Sequence, residues 1–144
     1  MTISQIILII HIVSTFFMTG IIWFVQLIHY PLFKKIPIEA LPAYERKNYK
    51  TAYLTVPVMV VELITGLYIF FFAYTELFIW NMILLAIIEF STIIFQIPIQ
   101  MRIAKSASTE LISKLVNTNW IRTVSWTLRC IILIYISLTI IRNL

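Results

Sequence analysis

The chain is expected to fold as an all-α, four-transmembrane-helix bundle, and three observations predict it. Of its 144 residues, 61% are hydrophobic and the mean hydropathy is +0.97, whereas soluble domains are about half apolar. Four apolar runs are each near the ~20 residues that cross a bilayer. All but Arg129 and Arg142 of the 11 Lys and Arg residues fall in two clusters. Lys34, Lys35, Arg46, Lys47 and Lys50 follow the first run; Arg102, Lys105, Lys114 and Arg122 lie between the third and fourth or open the fourth. By the positive-inside rule both long loops are cytoplasmic and both termini outside, an up-down-up-down bundle in the cytoplasmic (inner) membrane. The net charge of +5 follows from these loops and gives no reason to invoke nucleic acid. Residues 1–144 read as a single integral membrane domain.

Span 1 is placed at Ile3–Ile28 and ends at Tyr30-Pro31, because a residue before proline avoids the helical region. It lacks a basic leader region and runs into Lys34-Lys35, so it reads as a span rather than a cleaved signal. In the loop that follows, Pro42 is suited to open a short helix, and Tyr44, Tyr49 and Tyr53 suit the headgroup layer. Span 2 covers Leu54–Ala73 and holds Pro57. Span 3 covers Ile79–Met101 and holds Pro98. Each proline removes a backbone donor and bends its helix. A tight outer turn at Tyr74-Thr75-Glu76 joins these two spans. The 3–4 loop reads as a short amphipathic helix capped by Ser108 or Thr109. Its apolar face is Leu111, Ile112, Leu115 and Val116, and Asn117-Thr118-Asn119 breaks it. Span 4 covers Ile121–Ile141.

There is a faint internal echo: Gln26, Pro31 and Lys34 close span 1, and Gln96, Pro98 and Arg102 close span 3. With two glycines only, Gly20 and Gly66, no GxxxG packing motif exists. Close approach then relies on Ser14, Thr15, Thr65, Ser91, Thr92 and Ser137. The one cysteine, Cys130, forms no intrachain disulfide and reads as a small core residue.

Ionisable residues inside apolar spans are costly and mark functional sites. Glu62, Glu89 and Arg129 are three such residues. Polar side chains also repeat at helical spacing. His11, Gln26 and His29 fall near one face of span 1, and Glu62 has Thr55 and Thr65 on its side of span 2. Glu89, Gln96 and Gln100 share a stripe of span 3, and Arg122, Trp126 and Arg129 share one of span 4. At about 1.5 Å per residue, Glu62, Glu89, Gln96 and Arg129 come to similar depths, and His29, Gln100 and Arg122 form a shallower ring. Glu62 and Arg129 are expected to pair. A cavity in the cytoplasmic half is expected, bordered by Gln26, His29, Glu62, Gln96, Arg122, Trp126 and Arg129. His11 and His29 lie about 27 Å apart along one helix at that rise, too far to share a metal, and no metal site is assigned. No Walker loop, Rossmann glycines, HExxH or GxSxG occurs.

Phe95-Gln96-Ile97-Pro98-Ile99-Gln100 resembles the close of span 3 in the anthrone oxygenase-like family of small four-helix membrane proteins. Asn119-Trp120-Ile121-Arg122-Thr123 resembles that family's opening of span 4. The segment His29-Tyr30-Pro31-Leu32-Phe33 and Glu62 depart from its common pattern. The resemblance implies a four-helix bundle and, for characterised members, cofactor-independent oxygenation of polycyclic anthrones. A second resemblance, through Glu45-Arg46, Pro57 and Gly66, is to the small four-helix haem-binding protoporphyrinogen oxidases of bacteria, and it makes haem the alternative to no cofactor.

The functional expectation is a polar cytoplasmic-side pocket that binds a hydrophobic small molecule. As an enzyme, Glu62 would take a proton from an acidic C–H or phenol, and Arg122 and Arg129 would stabilise the enolate. Gln26, His29, Gln96 and Trp126 would bind the ligand. Reaction of oxygen with the carbanion is implied by the resemblance alone. The rival is a non-catalytic subunit whose polar faces meet a second copy or another membrane chain; a transporter or proton relay is third.

Overall fold

The computed structural model describes residues 2–73 and 75–142. Among the described residues there are helices and no strands. Four helices are long and apolar enough to cross a membrane: α1 (Ile3–Lys35), α2 (Leu41–Phe72), α3 (Glu76–Lys105) and α4 (Thr109–Arg142). The expected four-helix bundle is what the chain forms. Each helix has 30 to 34 residues, about 45–50 Å at the α-helical rise against a hydrocarbon core of ~30 Å. The surplus turns carry the basic residues at the end opposite to Thr2, so the clusters lie on extended helices rather than on loose loops.

Local chemistry sets the ends. Thr2 and Gln5 form a reciprocal capping box at the start of α1, satisfying two otherwise orphaned donors. Pro42 sits in the first turn of α2, where its missing N–H is no loss. The Ser108 hydroxyl accepts from the Leu111 N–H at 3.2 Å and caps α4. Of the expected outer turn, Thr75 is extended and Glu76 opens α3; Tyr74 lies outside the described residues.

Two expected breaks are absent. Helix α1 does not stop at Tyr30-Pro31. It widens into a π-turn over Val25–His29, where the Tyr30 N–H bonds the Val25 carbonyl, and then continues to Lys35. Helix α3 does the same at Thr92–Gln96, with the Ile97 N–H on the Thr92 carbonyl, before Pro98. The extra residue in the turn accommodates the proline that a regular α-helix resists. The second correction concerns α4, which runs unbroken through Asn117-Thr118-Asn119. Thr118 returns its hydroxyl to the Lys114 carbonyl at 2.8 Å, a bond compatible with the helix. Asn119 is fully buried and donates to Gln26 of α1, and Thr118 accepts from Gln96 of α3.

The π-turns also refine the internal echo. Val25 and Thr92, Pro31 and Pro98, and Glu62 and Arg129 are each 67 residues apart. In this register His29, not Gln26, corresponds to Gln96.

The helices close a ring in which α1 packs on α2 and α4, α3 packs on α4, and α2 and α3 touch least. Apolar and polar layers alternate along it. An apolar layer at the end opposite to Thr2, taken as the inner end, holds Tyr30, Phe33, Leu41, Ile99, Ile103, Ile112 and Leu115. A central one holds Met18, Ile22, Met59, Ile88 and Trp126, and an outer one holds Ile69, Phe78, Leu133 and Ile136. One polar layer lies in each gap. The outward faces carry Ile64, Phe90, Ile93 and Ile131, each more than half exposed, as a lipid-facing surface requires.

Candidate functional site

The outer polar layer is a closed network contributed by all four helices. Arg129 of α4, fully buried, donates through Nη1 to Glu62 Oε1 of α2 at 2.7 Å. Its Nε donates to Asn81 Oδ1 of α3 at 3.3 Å, and Nη2 reaches His11 Nε2 at 3.3 Å and Thr15 Oγ1 at 3.2 Å, both on α1. A guanidinium only donates, so His11 Nε2 accepts. His11 Nδ1 then carries the proton and donates to Thr65 Oγ1 at 2.9 Å, which donates to the Val61 carbonyl at 2.6 Å. Trp126 Nε1 donates to both Glu62 oxygens, at 3.3 and 3.2 Å. A buried ion pair is tolerated when further hydrogen bonds satisfy its remaining atoms, and here they do. Gly66 permits the close approach: a methyl on it would meet the Met82 sulfur at 2.9 Å and His11 Cε1 at 3.1 Å.

The inner polar layer is built differently. Gln26, in the π-turn of α1, gives its Nε2 proton to the Val116 carbonyl at 3.2 Å. Its Oε1 accepts from Asn119 at 2.9 Å and Thr123 at 3.3 Å. Asn119 Oδ1 in turn accepts from Arg122 Nη1 at 3.1 Å. The Arg122 guanidinium lies over the Trp126 ring, 5.3 Å from its centroid. Gln100 donates to the Tyr30 hydroxyl at 2.7 Å. His29 Nε2 lies 3.0 Å from Asn48 Oδ1, and Asn48 Nδ2 is 3.2 Å from Glu45 Oε2. With the Asn48 amide donating to Glu45, its oxygen accepts from His29 Nε2, which leaves His29 Nδ1 as a free lone pair.

Where α2 and α3 part, this inner layer opens into a cavity of about 430 Å³. Apolar walls come from Met18, Ile21, Ile22, Val25, Met59 and Ile97; the polar lining includes His29, Tyr30, Asn48, Thr55, Gln96, Gln100 and Arg122. Both π-turns border it, through Val25 and His29 of α1 and Thr92 and Gln96 of α3. Among the described residues, the buried side-chain atoms without a partner are Glu45 Oε1, Ser91 Oγ, Gln96 Oε1 and Arg122 Nε. Gln96 and Arg122 both line the cavity.

The expected constellation therefore divides. His29, Gln96 and Arg122 come together around the cavity. Glu62 and Arg129 pair, with Trp126 bridging the layers, in packing that does not line it. Gln26 stands behind Arg122 and orients it through Asn119. Glu89, half-buried on α3, faces the charges of Glu62, Arg122 and Arg129 without reaching any of them by a hydrogen bond or ion pair. Sequence reasoning missed Asn81, Asn119, Tyr30 and Asn48. Asn81 had a signal, a lone amide one turn into an apolar helix. Asn119 and Asn48 were read as loop residues.

No pair of histidines is placed to hold a haem from both sides. Both His11 ring nitrogens are engaged, and His29 is the single histidine at the cavity. Among the described residues no three His, Cys, Asp or Glu side chains are grouped as metal ligands. Comparisons with family models, curated proteins and solved structures find no match for this chain.

Proposed function

We propose that this multi-pass membrane protein binds a hydrophobic small molecule in its inner-layer cavity. The reading places it in the cytoplasmic membrane with both termini outside. One observation carries it. An apolar cavity of about 430 Å³, within the range of small-molecule sites, is lined by Gln96 and Arg122, each of which keeps a buried polar atom without a partner. A bundle needing stability alone would fill this space.

If the protein also acts on its occupant, the base is His29 rather than Glu62. His29 lines the cavity with Nδ1 free, whereas Glu62 is committed to Arg129 and Trp126. Arg122 would then hold the anion formed by proton abstraction. Oxygenation of that anion rests on the family resemblance.

Native mass spectrometry of the protein released from detergent tests binding. Wild-type protein should carry a small-molecule adduct, and Thr92→Phe, which fills the cavity from α3, should lose it. Adduct-free wild-type protein, together with a closed cavity in a high-resolution structure, would sink the reading. Orientation is checked with a cysteine in place of Lys47: an impermeant thiol reagent should fail to label it in intact cells.

The subunit reading is favoured by Glu89 alone. A carboxylate at membrane depth without a hydrogen-bond partner among the described residues is what a contact with a second membrane chain would resolve.

A further inference from the structure

Building on the cavity reading, we infer that its occupant is an amphiphile with an anionic head, bound with Arg122 as counter-ion and Tyr30 as second donor. Among the described residues, Arg122 is the only charged side chain that lines the cavity. It is 8% exposed, and no carboxylate comes within ion-pair distance of it among the described residues. Its acceptors are neutral, the Asn119 amide and the Tyr30 hydroxyl oxygen, its Nε is unpartnered, and its face covers an indole. Glu89 acts on it from beyond hydrogen-bond distance and does not line the cavity. A buried cation lacking a counter-ion is strongly disfavoured, and a ligand anion supplies what the protein omits.

Tyr30, which accepts from Arg122, points the same way. It is 4% exposed and lines the cavity. Its oxygen accepts from Gln100, so its own proton needs an acceptor, and none is found among the described residues. Two donors of this kind suit an anionic oxygen. Both are held from behind, Arg122 by the Gln26–Asn119 relay and Tyr30 by Gln100, so little ordering is needed on binding.

The apolar body would lie toward the seam between α2 and α3. Leu54 and Val56 on α2 and Ile97 on α3 border the cavity and are also exposed on the lipid-facing surface, at 56%, 51% and 46%. A tail leaving there would enter the cytoplasmic leaflet. Two sources share this head chemistry, a long-chain carboxylate and an acidic phospholipid.

The test is titration of the full chain, in a neutral detergent at pH 8, with dodecanoate and with dodecanol. Dodecanoate should bind at least ~10-fold more tightly, the scale of a charge-assisted hydrogen bond. Arg122→Gln should remove that preference while leaving dodecanol within ~2-fold, and Arg122→Lys should retain part of it. Competition by phosphatidylglycerol but not phosphatidylcholine assigns the head to a lipid. Insensitivity to both assigns it to a free carboxylate, and either result supports the proposal. Equal binding of acid and alcohol, both lost in Thr92→Phe, overturns the anion but keeps the cavity. Saturable binding of neither overturns both.

Discussion

Arg122 and Arg129 lie on one face of α4, two turns apart, and both are buried. Arg129 meets Glu62, Asn81, His11 and Thr15, one or two groups from each of the other helices. Arg122 meets a neutral amide, a phenol oxygen and an aromatic face, beside an open cavity. The contrast shows two uses of an intramembrane charge. In the outer layer the charge ties four helices into one register, and the space around it is filled. In the inner layer the same residue type is oriented but left without a counter-ion, and the helices part. The π-turns contribute to that difference: both lie at the inner layer, where they rotate Gln26 and Gln96 inward and carry the chain past Pro31 and Pro98.

The largest expected effect comes from breaking the filled layer. Arg129→Ala strands Glu62 as an unpaired buried carboxylate and should cost about 3–5 kcal/mol, seen as a collapse of Tm and of monodisperse yield. Glu62→Gln keeps an acceptor for Arg129 and should fall well short of that. Equal losses would show that the hydrogen-bond acceptor is not what matters at Glu62.

Much of the bundle was legible in the chain. Four apolar runs and two basic clusters were enough for the bundle, because the bilayer permits few alternatives. The Glu62–Arg129 pair followed from depth along two helices. What failed was local. Tyr30-Pro31 and Asn117-Thr118-Asn119 carry break signals that hold for an isolated helix, and tertiary partners override them here. Gln26 and Asn119 satisfy each other, and a π-turn accommodates Pro31. The division into two layers was illegible for a related reason. Whether a polar group is met by protein depends on rotation about the helix axis, which two extra residues in π-turns alter and which spacing alone does not reveal.

A smaller effect separates the two glycines and sharpens the claim that the outer layer is filled. Gly66→Ala drives a methyl against the Met82 sulfur and His11 Cε1, at 2.9 and 3.1 Å. Met82 can swing away. His11 is held at both ring nitrogens, by Thr65 and Arg129, so overpacking of about 1–3 kcal/mol is expected. Gly20 has nothing within 4 Å of a new methyl, and Gly20→Ala should be neutral or raise Tm slightly through helix propensity. Equal responses in thermal unfolding would contradict the packing difference.

The smallest effect on stability, and the most pointed on function, is expected from making Arg122 resemble Arg129. Asn119 Oδ1 already accepts from Arg122 Nη1 at 3.1 Å, so Asn119→Asp places a carboxylate against the guanidinium without moving either backbone. Its other contact changes sign: Asn119 Nδ2 now donates to Gln26 Oε1 at 2.9 Å, and aspartate cannot. Rotation of the Gln26 amide restores a donor at that point and gives up the bond to the Val116 carbonyl, a loss of about 1 kcal/mol that the new ion pair offsets in part. Stability should therefore change little. Binding should not: with its charge matched internally, Arg122 has less to gain from a ligand anion, and dodecanoate affinity should fall ~10-fold toward that of dodecanol. A variant that stays folded and keeps the full acid preference would show that Arg122 is not the counter-ion, and would turn attention to the Tyr30 hydroxyl as the main donor.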